Sequence, residues 1–399
     1  MKEWRENSMM KNRWPVAFQV IETLENAGFE AYVVGGAVRD FIRGVHANDV
    51  DITTSATPSE VKQLFSHTID VGIEHGTVLV VLEETIEVTT FRSEATYSDF
   101  RRPDQVAFVR SLREDLERRD FTMNAMALSK EDVVIDYFEG QADIEANLIK
   151  AVGDPLKRFS EDALRMLRVI RFSAQLDFQV DENTLEAIQS LHELIRHVSI
   201  ERVKVELEKI WTTAHAGKGM DMFVSSNLAK EFPGDWSTNV EEWKSFSAFE
   251  NKINGWAFFA LSQEIDINLA EYKCSNAEMM YVKKVLQAAN NLEENRWSNY
   301  DFFQFEENVL VAAASYTSIL AGKQLPYSFE EIHQQKMAIP LASSKDIVVN
   351  GNDLMEWAEQ KRGPWLKEVI DKLTVALVNG EIQNDRKQIR DWFFREYDN

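Results

Sequence analysis

Cysteine, long apolar runs and positive charge are all scarce in this chain of 399 residues. The single cysteine, Cys274, excludes an internal disulfide and favours a reducing compartment. No apolar run approaches the roughly 18 residues that a membrane helix needs. The charged segment Met1–Trp14 also lacks the hydrophobic stretch of a signal peptide. The sequence therefore predicts a cytoplasmic protein with no membrane partner.

Basic residues are outnumbered, because 44 Lys and Arg stand against 66 Asp and Glu, a formal net charge of −22. Phosphate contacts supply much of the affinity for nucleic acid, so a nucleic-acid-binding protein of this composition needs its positive charge concentrated locally. The charge is indeed segregated. Residues 157–171 hold five basic and two acidic residues, and residues 231–310 hold 14 acidic and six basic ones. The pattern predicts a basic concave surface near the first segment and an acidic outer body.

The chain changes character near residue 143. From Ala31 to about Tyr137, short β-rich runs alternate with helices, and the clearest runs predict strands at 31–34, 50–54, 77–82, 86–91 and 133–137. Helical periodicity dominates after Asp143. A chain of 399 residues is long enough for two to four domains. The sequence therefore predicts an α+β fold in which a mixed sheet with helices is followed by all-α segments.

Asp49 and Asp51 are one residue apart and are flanked by apolar and β-branched residues. In a strand, side chains at positions i and i+2 point to the same face, so both carboxylates are expected to project together. Two like charges side by side are unfavourable unless a cation lies between them, and Mg²⁺ binds one or two carboxylates together with substrate phosphates. The alternative is a solvated Asp-x-Asp on an exposed strand face.

A glycine turn precedes this pair. Gly35 and Gly36 lie between an apolar strand, Ala31–Val34, and the first turns of a helix. Glycine allows a tight turn and close approach of a ligand, and free backbone N–H groups at a helix start suit phosphate. Arg39 in that first turn can add a charge-assisted contact. Two glycines alone indicate only a turn, but a phosphate cradle followed by paired aspartates predicts a metal-dependent site for a nucleoside triphosphate.

The run Gly35-Gly36-x-Val38-Arg39-Asp40, followed by Asp49-x-Asp51, resembles the first signature of the polymerase-β-type nucleotidyltransferases. The form found here is similar to that of class II (bacterial-type) CCA-adding tRNA nucleotidyltransferases and bacterial poly(A) polymerases. Four further stretches match in the family's order. They resemble the flexible loop (91–109), the ribose-reading motif (118–125), the hinge (136–143) and the base-reading helix (161–168).

The resemblance implies an elongated protein with four parts. These are a polymerase-β-like catalytic head (1–147), a helical neck that recognises the base (148–214), a helical body (215–310) and a helical, tRNA-binding tail (311–399). It also implies template-independent addition of C, C and A from CTP and ATP to a tRNA whose 3′ CCA is missing or incomplete. Two Mg²⁺ ions are expected as cofactors, and no obligate protein partner is evident. The rivals are a poly(A) polymerase with the same head and a non-catalytic RNA-binding relative.

The resemblance also assigns roles to residues. Asp49 and Asp51 are implied as the catalytic metal ligands, and the nucleotide-binding set is Gly36, Arg39, Arg119, Asp120, Asn124, Asp162, Arg165, Arg168 and Arg171. The loop that supports the final A contains Arg92, Tyr97, Arg101, Arg102 and Asp104, and the hinge contains Asp136, Gly140 and Asp143. Within the ribose-reading motif, either Asp120 or Asn124 is expected at a ribose hydroxyl, and Arg119 at phosphate. A third carboxylate is not assigned; for Glu87 a structural role is favoured.

The spacing predicts that the base-reading segment is one continuous helix, at about 100° per residue. In that projection Arg165 and Arg168 face away from an apolar stripe formed by Ala163, Leu167, Ile170 and Ala174. Asp162 and Arg171 flank the two arginines. An ordinary charged helix face with i,i+3 ion pairs would show the same spacing.

Asp162 and Arg165 suit a base-reading role. A carboxylate accepts from the amino group of cytosine or adenine, and a guanidinium donates to the neighbouring ring nitrogen. Uracil and guanine present a carbonyl and an N–H in those places, so both contacts become repulsive. The pair therefore predicts selection of C and A by protein side chains. Arg168 and Arg171 would then hold phosphate or keep the pair aligned.

Overall fold

The computed structural model describes residues 9–47, 49–72, 76–94, 106–263, 267–292, 296–324 and 326–397. The chain divides into two compact units, Met1–Val240 and Glu241–Asn399. The first unit holds a mixed sheet with helices and the described part of the second is helical, so the predicted α+β fold class is confirmed. The finer division at residues 147, 214 and 310 stays a prediction.

A seven-stranded mixed sheet forms the centre of the first unit. Its strands are β1 Ala31–Val34, β2 Asp51–Thr54, β3 Thr68–Gly72, β4 Thr77–Val81, β5 Thr85–Thr90, β8 Met126–Leu128 and β9 Val134–Asp136. They lie in the order β3-β4-β5-β2-β1-β8-β9. The β2–β5 pair is parallel, and the other neighbours are antiparallel. The strands predicted at 31–34, 50–54, 77–82, 86–91 and 133–137 are confirmed within one or two residues at each end.

Two short ribbons accompany the sheet. One pairs β6 Arg92–Glu94 with β7 Val106–Phe108 in antiparallel fashion, and the other pairs β10 Leu148–Ile149 with β11 Gln179–Val180 in parallel. The first ribbon forms the base of the segment predicted to be the flexible loop.

The helices of the first unit surround the sheet and then continue as a helical bundle. They are α1 Met9–Arg13, α2 Pro15–Asn26, α3 Gly36–Ile42, α4 Pro58–Leu64, α5 Leu112–Glu117, α6 Gly140–Glu145, α7 Pro155–Glu161, α8 Leu164–Leu176, α9 Glu182–Leu191, α10 Ile200–Trp211 and α11 Ala216–Ser225. A short 3₁₀ turn, Thr122–Asn124, precedes β8.

Helix α8 is the centre of the bundle and packs against α10 and α11. A Cβ atom on Gly219 of α11 would lie 2.5 Å from Cγ2 of Ile210 and 3.0 Å from Cβ of Ala174. Only glycine therefore permits this close approach of the three helices. The predicted apolar stripe is buried as expected, since Leu167, Ile170 and Ala174 are all inaccessible to solvent.

The second unit is built from helices of modest length. They are α12 Ile253–Leu261, α13 Asn276–Asn290, α14 Asn299–Gln304, α15 Glu307–Ala321, α16 Phe329–Ala338, α17 Gly351–Trp357, α18 Pro364–Val378 and α19 Arg386–Tyr397. Capping boxes begin four of them, at Ser275, Ser298, Ser328 and Asn350. None of the described helices has an apolar stretch long enough to span a bilayer.

Candidate active site

The glycine turn brings the backbone against two arginines. Gly35 has φ +73°, a conformation that L side chains rarely adopt, so glycine is required there. A Cβ atom built on Gly35 would lie 3.2 Å from Nη1 of Arg119, and one on Gly36 would lie 3.5 Å from Nη2 of Arg39. The turn between β1 and α3 is therefore lined by positive charge, as a phosphate site requires.

Arg39 links the first signature to the ribose-reading motif. Its side chain is buried, and its Nε and Nη2 atoms donate to the Asp40 carboxylate at 3.0 and 3.1 Å. Its Nη1 donates to Oδ1 of Asn124 at 2.9 Å, across 85 residues of sequence. Both ends of the guanidinium are thus held in place before any ligand binds.

The sequence predicted that Asp49 and Asp51 both lie in a strand. This is wrong for Asp49. Strand β2 begins at Asp51, and Asp49 precedes it in irregular backbone. Both side chains are exposed, and no hydrogen bond or ion pair joins either of them to another described residue. The surrounding protein displaces water and raises the pKa of Asp51; Arg119 opposes this rise and Asp49 adds to it.

Glu87 lies opposite Asp51 in the parallel pairing of β2 and β5. Loss of surrounding water raises its pKa, and the charge of Asp51 raises it further, whereas Arg92 lowers it. Within the described part of the chain, no group of three His, Cys, Asp or Glu side chains has the arrangement of a metal site. Asp49 and Asp51 are the two carboxylates predicted to bind a cation, and Mg²⁺ completes a shell of two carboxylates with phosphates and water.

The ribose-reading motif is tied together by buried polar contacts. Asp120 accepts from Nε and Nη2 of Arg168 at 2.8 and 2.5 Å and from Nδ2 of Asn124 at 3.3 Å. Burial works to raise the pKa of Asp120, but Arg168 outweighs it and holds that pKa at about 2. The side chains predicted at the ribose are therefore already hydrogen-bonded to protein in a chain running Arg39–Asn124–Asp120–Arg168.

The base-reading segment is not one helix, and the projection that assumed so was wrong at its start. Helix α7 ends at Glu161 and α8 begins at Leu164, with Asp162 between them in an extended conformation, φ −138° and ψ 103°. Oδ1 of Asp162 accepts from the backbone N–H of Leu164 at 3.1 Å. Aspartate favours such positions because its side chain satisfies a free N–H at a helix start.

Arg165 does not face away from the core, since only 8% of it is exposed. Its Nη1 donates to Oε2 of Glu161 at 2.9 Å and to the backbone oxygen of Arg158 at 3.2 Å. Its Nη2 donates to the backbone oxygen of Arg118 at 3.0 Å. A guanidinium has five N–H groups, so these contacts leave two donors, on Nε and Nη2.

Four arginines of residues 157–171 are paired with acids. Glu161 binds both Arg158 and Arg165 at 2.9 Å, Asp120 binds Arg168, and Glu206 binds Arg171 at 3.1 Å. Asp120 and Glu206 lie outside the segment in sequence. The local excess of positive charge counted from the sequence is therefore largely neutralised in the fold.

Phe172 is an aromatic platform for three guanidinium groups. The Cζ atom of Arg171 lies 4.2 Å from its ring centroid, and those of Arg39 and Arg168 lie 5.4 and 5.5 Å away. Cation–π attraction of this kind orients arginines without using their hydrogen-bond donors.

The predicted hinge residues seat helix α6 on the 3₁₀ turn of the ribose motif. Asp136 accepts from the backbone N–H groups of Gly140 and Gln141 at 3.0 and 2.9 Å. A Cβ atom on Gly140 would lie 2.3 Å from the backbone oxygen of Thr122, so no larger residue fits. Asp143 accepts from the Thr122 hydroxyl at 2.6 Å. Their role in a hinge motion stays a prediction.

Of the predicted loop residues, Arg92 begins β6, and its charge acts on Glu87. Tyr97, Arg101, Arg102 and Asp104 lie outside the described residues.

Comparison with known proteins identifies the family. Three family models match: the Poly A polymerase head domain over residues 31–150, the probable RNA and SrmB-binding site of polymerase A over 177–236, and a putative tRNA nucleotidyltransferase domain 2 over 247–393. The chain is 39% identical to the CCA-adding enzyme of Bacillus cereus (strain B4264) over 388 residues, 95% of this chain and 98% of that protein. The chain belongs to the CCA-adding enzymes.

Further relatives agree with this assignment. The CCA-adding enzyme of Geobacillus sp. (strain WCH70) is 38% identical over 96% of this chain and 97% of its own. The crystal structure of the Bacillus stearothermophilus CCA-adding enzyme in complex with CTP superposes with a TM-score of 0.89 at 33% identity, covering 98% of each chain. The predicted nucleotidyltransferase family is confirmed, and its members are generally metal-dependent.

Three acidic or basic partners in the site were missed by the sequence reasoning. Glu206 holds Arg171, Arg202 donates to Oδ2 of Asp162 at 3.0 Å, and Asp115 binds Arg118 and Arg119. Asp115 carried a readable signal, since an acid three and four residues before two arginines matches the i,i+3 and i,i+4 spacing of helical ion pairs. Glu206 and Arg202 lie on α10, 35 and 40 residues from their partners, and no local pattern marks them.

Proposed function

We propose that this protein completes the 3′ ends of tRNAs by adding C, C and A in turn from CTP and ATP. The observation that carries the proposal is the continuous set of contacts from the glycine turn through Arg39, Asn124 and Asp120 to Arg168. It joins three motifs of the family into one site. The 39% identity to a CCA-adding enzyme over 95% of the chain supports the same substrates.

Asp49 and Asp51 would bind two Mg²⁺ ions. Their exposed carboxylates have no basic partner in hydrogen-bonding range among the described residues. Loss of surrounding water raises the pKa of Asp51, and the charge of Asp49 raises it further, although Arg119 opposes the rise. Such a pair fits a hard divalent cation. When bound, the ions supply a lowered pKa at the RNA 3′-hydroxyl and neutralise charge on the triphosphate.

The triphosphate would bind at the glycine turn through Gly36, Arg39 and Arg119. Asp40 and Asn124 already hold the Arg39 side chain beside the turn. Phosphate binding there would therefore require little further loss of side-chain freedom. The RNA 3′-hydroxyl attacks the α-phosphate, the bond to the leaving pyrophosphate breaks, and the chain gains one nucleotide.

Asp120 or Asn124 would contact the ribose. Each side chain is already bonded within the protein, so a ribose hydroxyl would share these partners or replace one of them. The ionised Asp120 is an acceptor, which matches a hydroxyl as donor.

Asp162 and Arg165 would select the base. Arg165 keeps two N–H donors after its three protein contacts, enough for a ring nitrogen and a second acceptor. Rejection of U and G through unpaired polar groups is stronger than rejection through shape alone. Arg168 and Arg171, stacked on Phe172 and paired with Asp120 and Glu206, would keep the pocket aligned.

We extend the proposal to the remaining parts of the molecule. The loop residues Arg92, Tyr97, Arg101, Arg102 and Asp104 would support the terminal A, and Asp136, Gly140 and Asp143 would form the hinge between head and neck. The body and the tRNA-binding tail would follow at 215–310 and 311–399. The tRNA substrate and the single cysteine fit a cytoplasmic location.

The test is to incubate the purified protein with a tRNA lacking CCA, CTP, ATP and Mg²⁺, and to sequence the 3′ ends. Discrete CCA ends are the expected result. A long A tail would favour a poly(A) polymerase, and the absence of extension would favour a non-catalytic RNA-binding protein. The matched control is the Asp51→Asn variant, which keeps the shape of the side chain and removes its charge.

A further inference from the structure

Asp115 on helix α5 is a buried carboxylate that receives donors from four separate residues. Its Oδ2 accepts from the Thr53 hydroxyl at 3.2 Å and from Nη2 of Arg119 at 3.4 Å. Its Oδ1 accepts from Nε and Nη2 of Arg118 at 3.0 and 2.9 Å and from the backbone N–H of Arg92 at 3.3 Å. The side chain is inaccessible to solvent, so these contacts are not exchanged for water.

The donors come from three functional segments. Thr53 lies on β2, two residues after Asp51, and Arg92 is the first residue of β6 at the base of the loop. Arg118 and Arg119 begin the ribose-reading motif. A single carboxylate thus joins the strand that carries a candidate metal ligand, the loop ribbon and the nucleotide-binding arginines.

The two arginines carry this connection into the pocket. Nη1 of Arg119 lies 3.2 Å from the position of a Cβ atom on Gly35, so Arg119 flanks the glycine turn. The backbone oxygen of Arg118 accepts from Nη2 of Arg165, the proposed base reader, at 3.0 Å. A displacement of Asp115 would therefore move contacts on both sides of the nucleotide.

We infer that Asp115 is a positioning residue for the nucleotide: it holds Arg119 against the glycine turn and keeps the first strand of the loop in register with β2. This inference rests on the proposed function, because it assumes that Arg119 contacts phosphate. Charge-assisted hydrogen bonds are the strong ones, and removing one partner of a buried pair leaves the other charge uncompensated.

The same contacts would arise if Asp115 were only a counter-ion that stabilises the fold. The two roles differ in kinetics. Partial unfolding lowers the concentration of active enzyme and hence the apparent kcat, but it leaves KM unchanged. A misplaced Arg119 weakens nucleotide binding in every folded molecule and so raises KM.

The experiment compares Asp115→Asn with Glu117→Gln, which makes the same chemical change at an exposed position on the same helix. KM and kcat for CTP are measured on a tRNA ending before CCA, and those for ATP on a tRNA ending in CC. Loss of a hydrogen bond to a charged group predicts a rise in KM of about ten- to hundredfold for both nucleotides in Asp115→Asn. Glu117→Gln should keep the wild-type KM.

A second variant separates binding from folding. Asp115→Asn combined with Arg118→Gln removes one of the two guanidiniums that lose the Asp115 carboxylate, so its thermal midpoint should recover relative to Asp115→Asn. Arg119 still lacks its anchor, so KM should stay above that of Arg118→Gln alone. A recovered midpoint together with a raised KM supports the positioning role.

An unchanged KM for both nucleotides in Asp115→Asn, with only a lower thermal midpoint, would overturn the inference. Failure of the wild-type protein to extend tRNA would instead contradict the proposed function. In that event, equilibrium binding of CTP with Mg²⁺ still decides the role of Asp115, because a positioning residue weakens binding in the variant and a counter-ion does not.

Discussion

Two sets of carboxylates in the first unit face opposite electrostatic conditions. Asp51 and Glu87, on neighbouring strands, keep exposed surface and have raised pKa values, because the surrounding protein displaces part of their water and further acids lie nearby. Asp115 and Asp120 are buried, yet arginines hold their pKa values below the usual range in spite of that burial. Burial alone would have raised all four.

The difference separates two uses of negative charge. A carboxylate without a basic partner has a destabilised ionised form, which a divalent cation relieves, so such groups mark functional sites. A paired carboxylate uses its charge to hold an arginine in place. Asp162 is intermediate, since it is partly buried and paired with Arg202, yet it is the proposed base reader.

The largest effect is expected at the unpaired carboxylates. Asp49→Ala and Asp51→Ala should each abolish C and A addition alike while tRNA binding survives. Metal ions supply several kcal/mol of transition-state stabilisation, so the loss should exceed about a thousandfold. Nucleotide incorporation and tRNA binding are measured separately. Normal activity of either variant at saturating Mg²⁺ would show that the substituted aspartate does not bind the catalytic metal.

Substitution of the proposed base readers, Asp162 and Arg165, should affect the choice of nucleotide more than the rate of the reaction. Asp162→Ala and Arg165→Ala should each relax discrimination against UTP and GTP by roughly 10- to 100-fold, since a good two-point base contact is worth about 1–3 kcal/mol. Arg171→Gln should lower turnover with little change in base preference, because Arg171 is engaged by Glu206 and Phe172.

Competition among all four nucleotides, on a tRNA ending before CCA, measures this outcome. If the Asp162 and Arg165 variants lost activity but kept full selectivity for C and A, these side chains would only hold the structure of the site and would not read the base.

The paired carboxylates should show their effect in stability. The pKa of Asp120 is about 2 in the folded protein against 3.8 ordinarily, so its contribution is fully present above about pH 4 and is lost as the pH falls towards 2. This difference corresponds to on the order of 2 kcal/mol. Asp120→Asn should therefore lower the free energy of unfolding near pH 7 by about that amount.

Denaturant unfolding of the wild type and of Asp120→Asn between pH 7 and pH 2 checks the sign. The two curves should converge as the pH falls through the titration of Asp120. A constant gap across this range would mean that the Arg168 pair does not depend on the charge of Asp120.

The smallest effect is expected from Asp51→Asn in the absence of metal. Because the pKa of Asp51 is raised, its ionised form lowers stability as the pH rises through that pKa, and removing the charge should raise the thermal midpoint slightly. Solvent screening keeps the gain small at an exposed site. Glu87→Gln should shift in the same direction.

Thermal unfolding with a chelator and then with Mg²⁺ measures the effect. Mg²⁺ should stabilise the wild type and leave Asp51→Asn nearly unchanged. A lower thermal midpoint of Asp51→Asn without metal would instead mean that Asp51 stabilises the fold, as the paired carboxylates Asp115 and Asp120 do.

The sequence predicted the strands of the sheet well because their apolar residues alternate or run together, a signal that is local. It missed α12, whose residues Trp256, Phe258 and Phe259 are buried on all sides and therefore show no helical period. It also missed two strands of the sheet: β8, which is short and lies inside the ribose-reading motif, and β3, whose Ile69 and Val71 are exposed. Burial in the folded protein, rather than a local pattern, determined α12 and β8.

The base-reading segment shows the same limit within the site. A single helix from Glu161 to Arg171 followed from spacing alone, but Asp162 adopts an extended conformation between α7 and α8, and its Oδ1 accepts from the backbone N–H of Leu164. The resulting geometry buries Arg165 against Glu161 and turns Asp162 towards Arg202. A helical projection cannot anticipate an interruption that depends on which backbone N–H a side chain satisfies.

By itself, the sequence determined the chemistry that is local to a few residues: the glycine turn, the aspartate pair, the order of the motifs and the family they identify. Tertiary structure alone decided which charges are free. Asp120 meets Arg168 across 48 residues, and Arg171 meets Glu206 on another helix. Whether a carboxylate is compensated depends on which distant arginine the fold brings within about 3 Å, because Coulomb attraction and hydrogen bonding act through space and not along the chain.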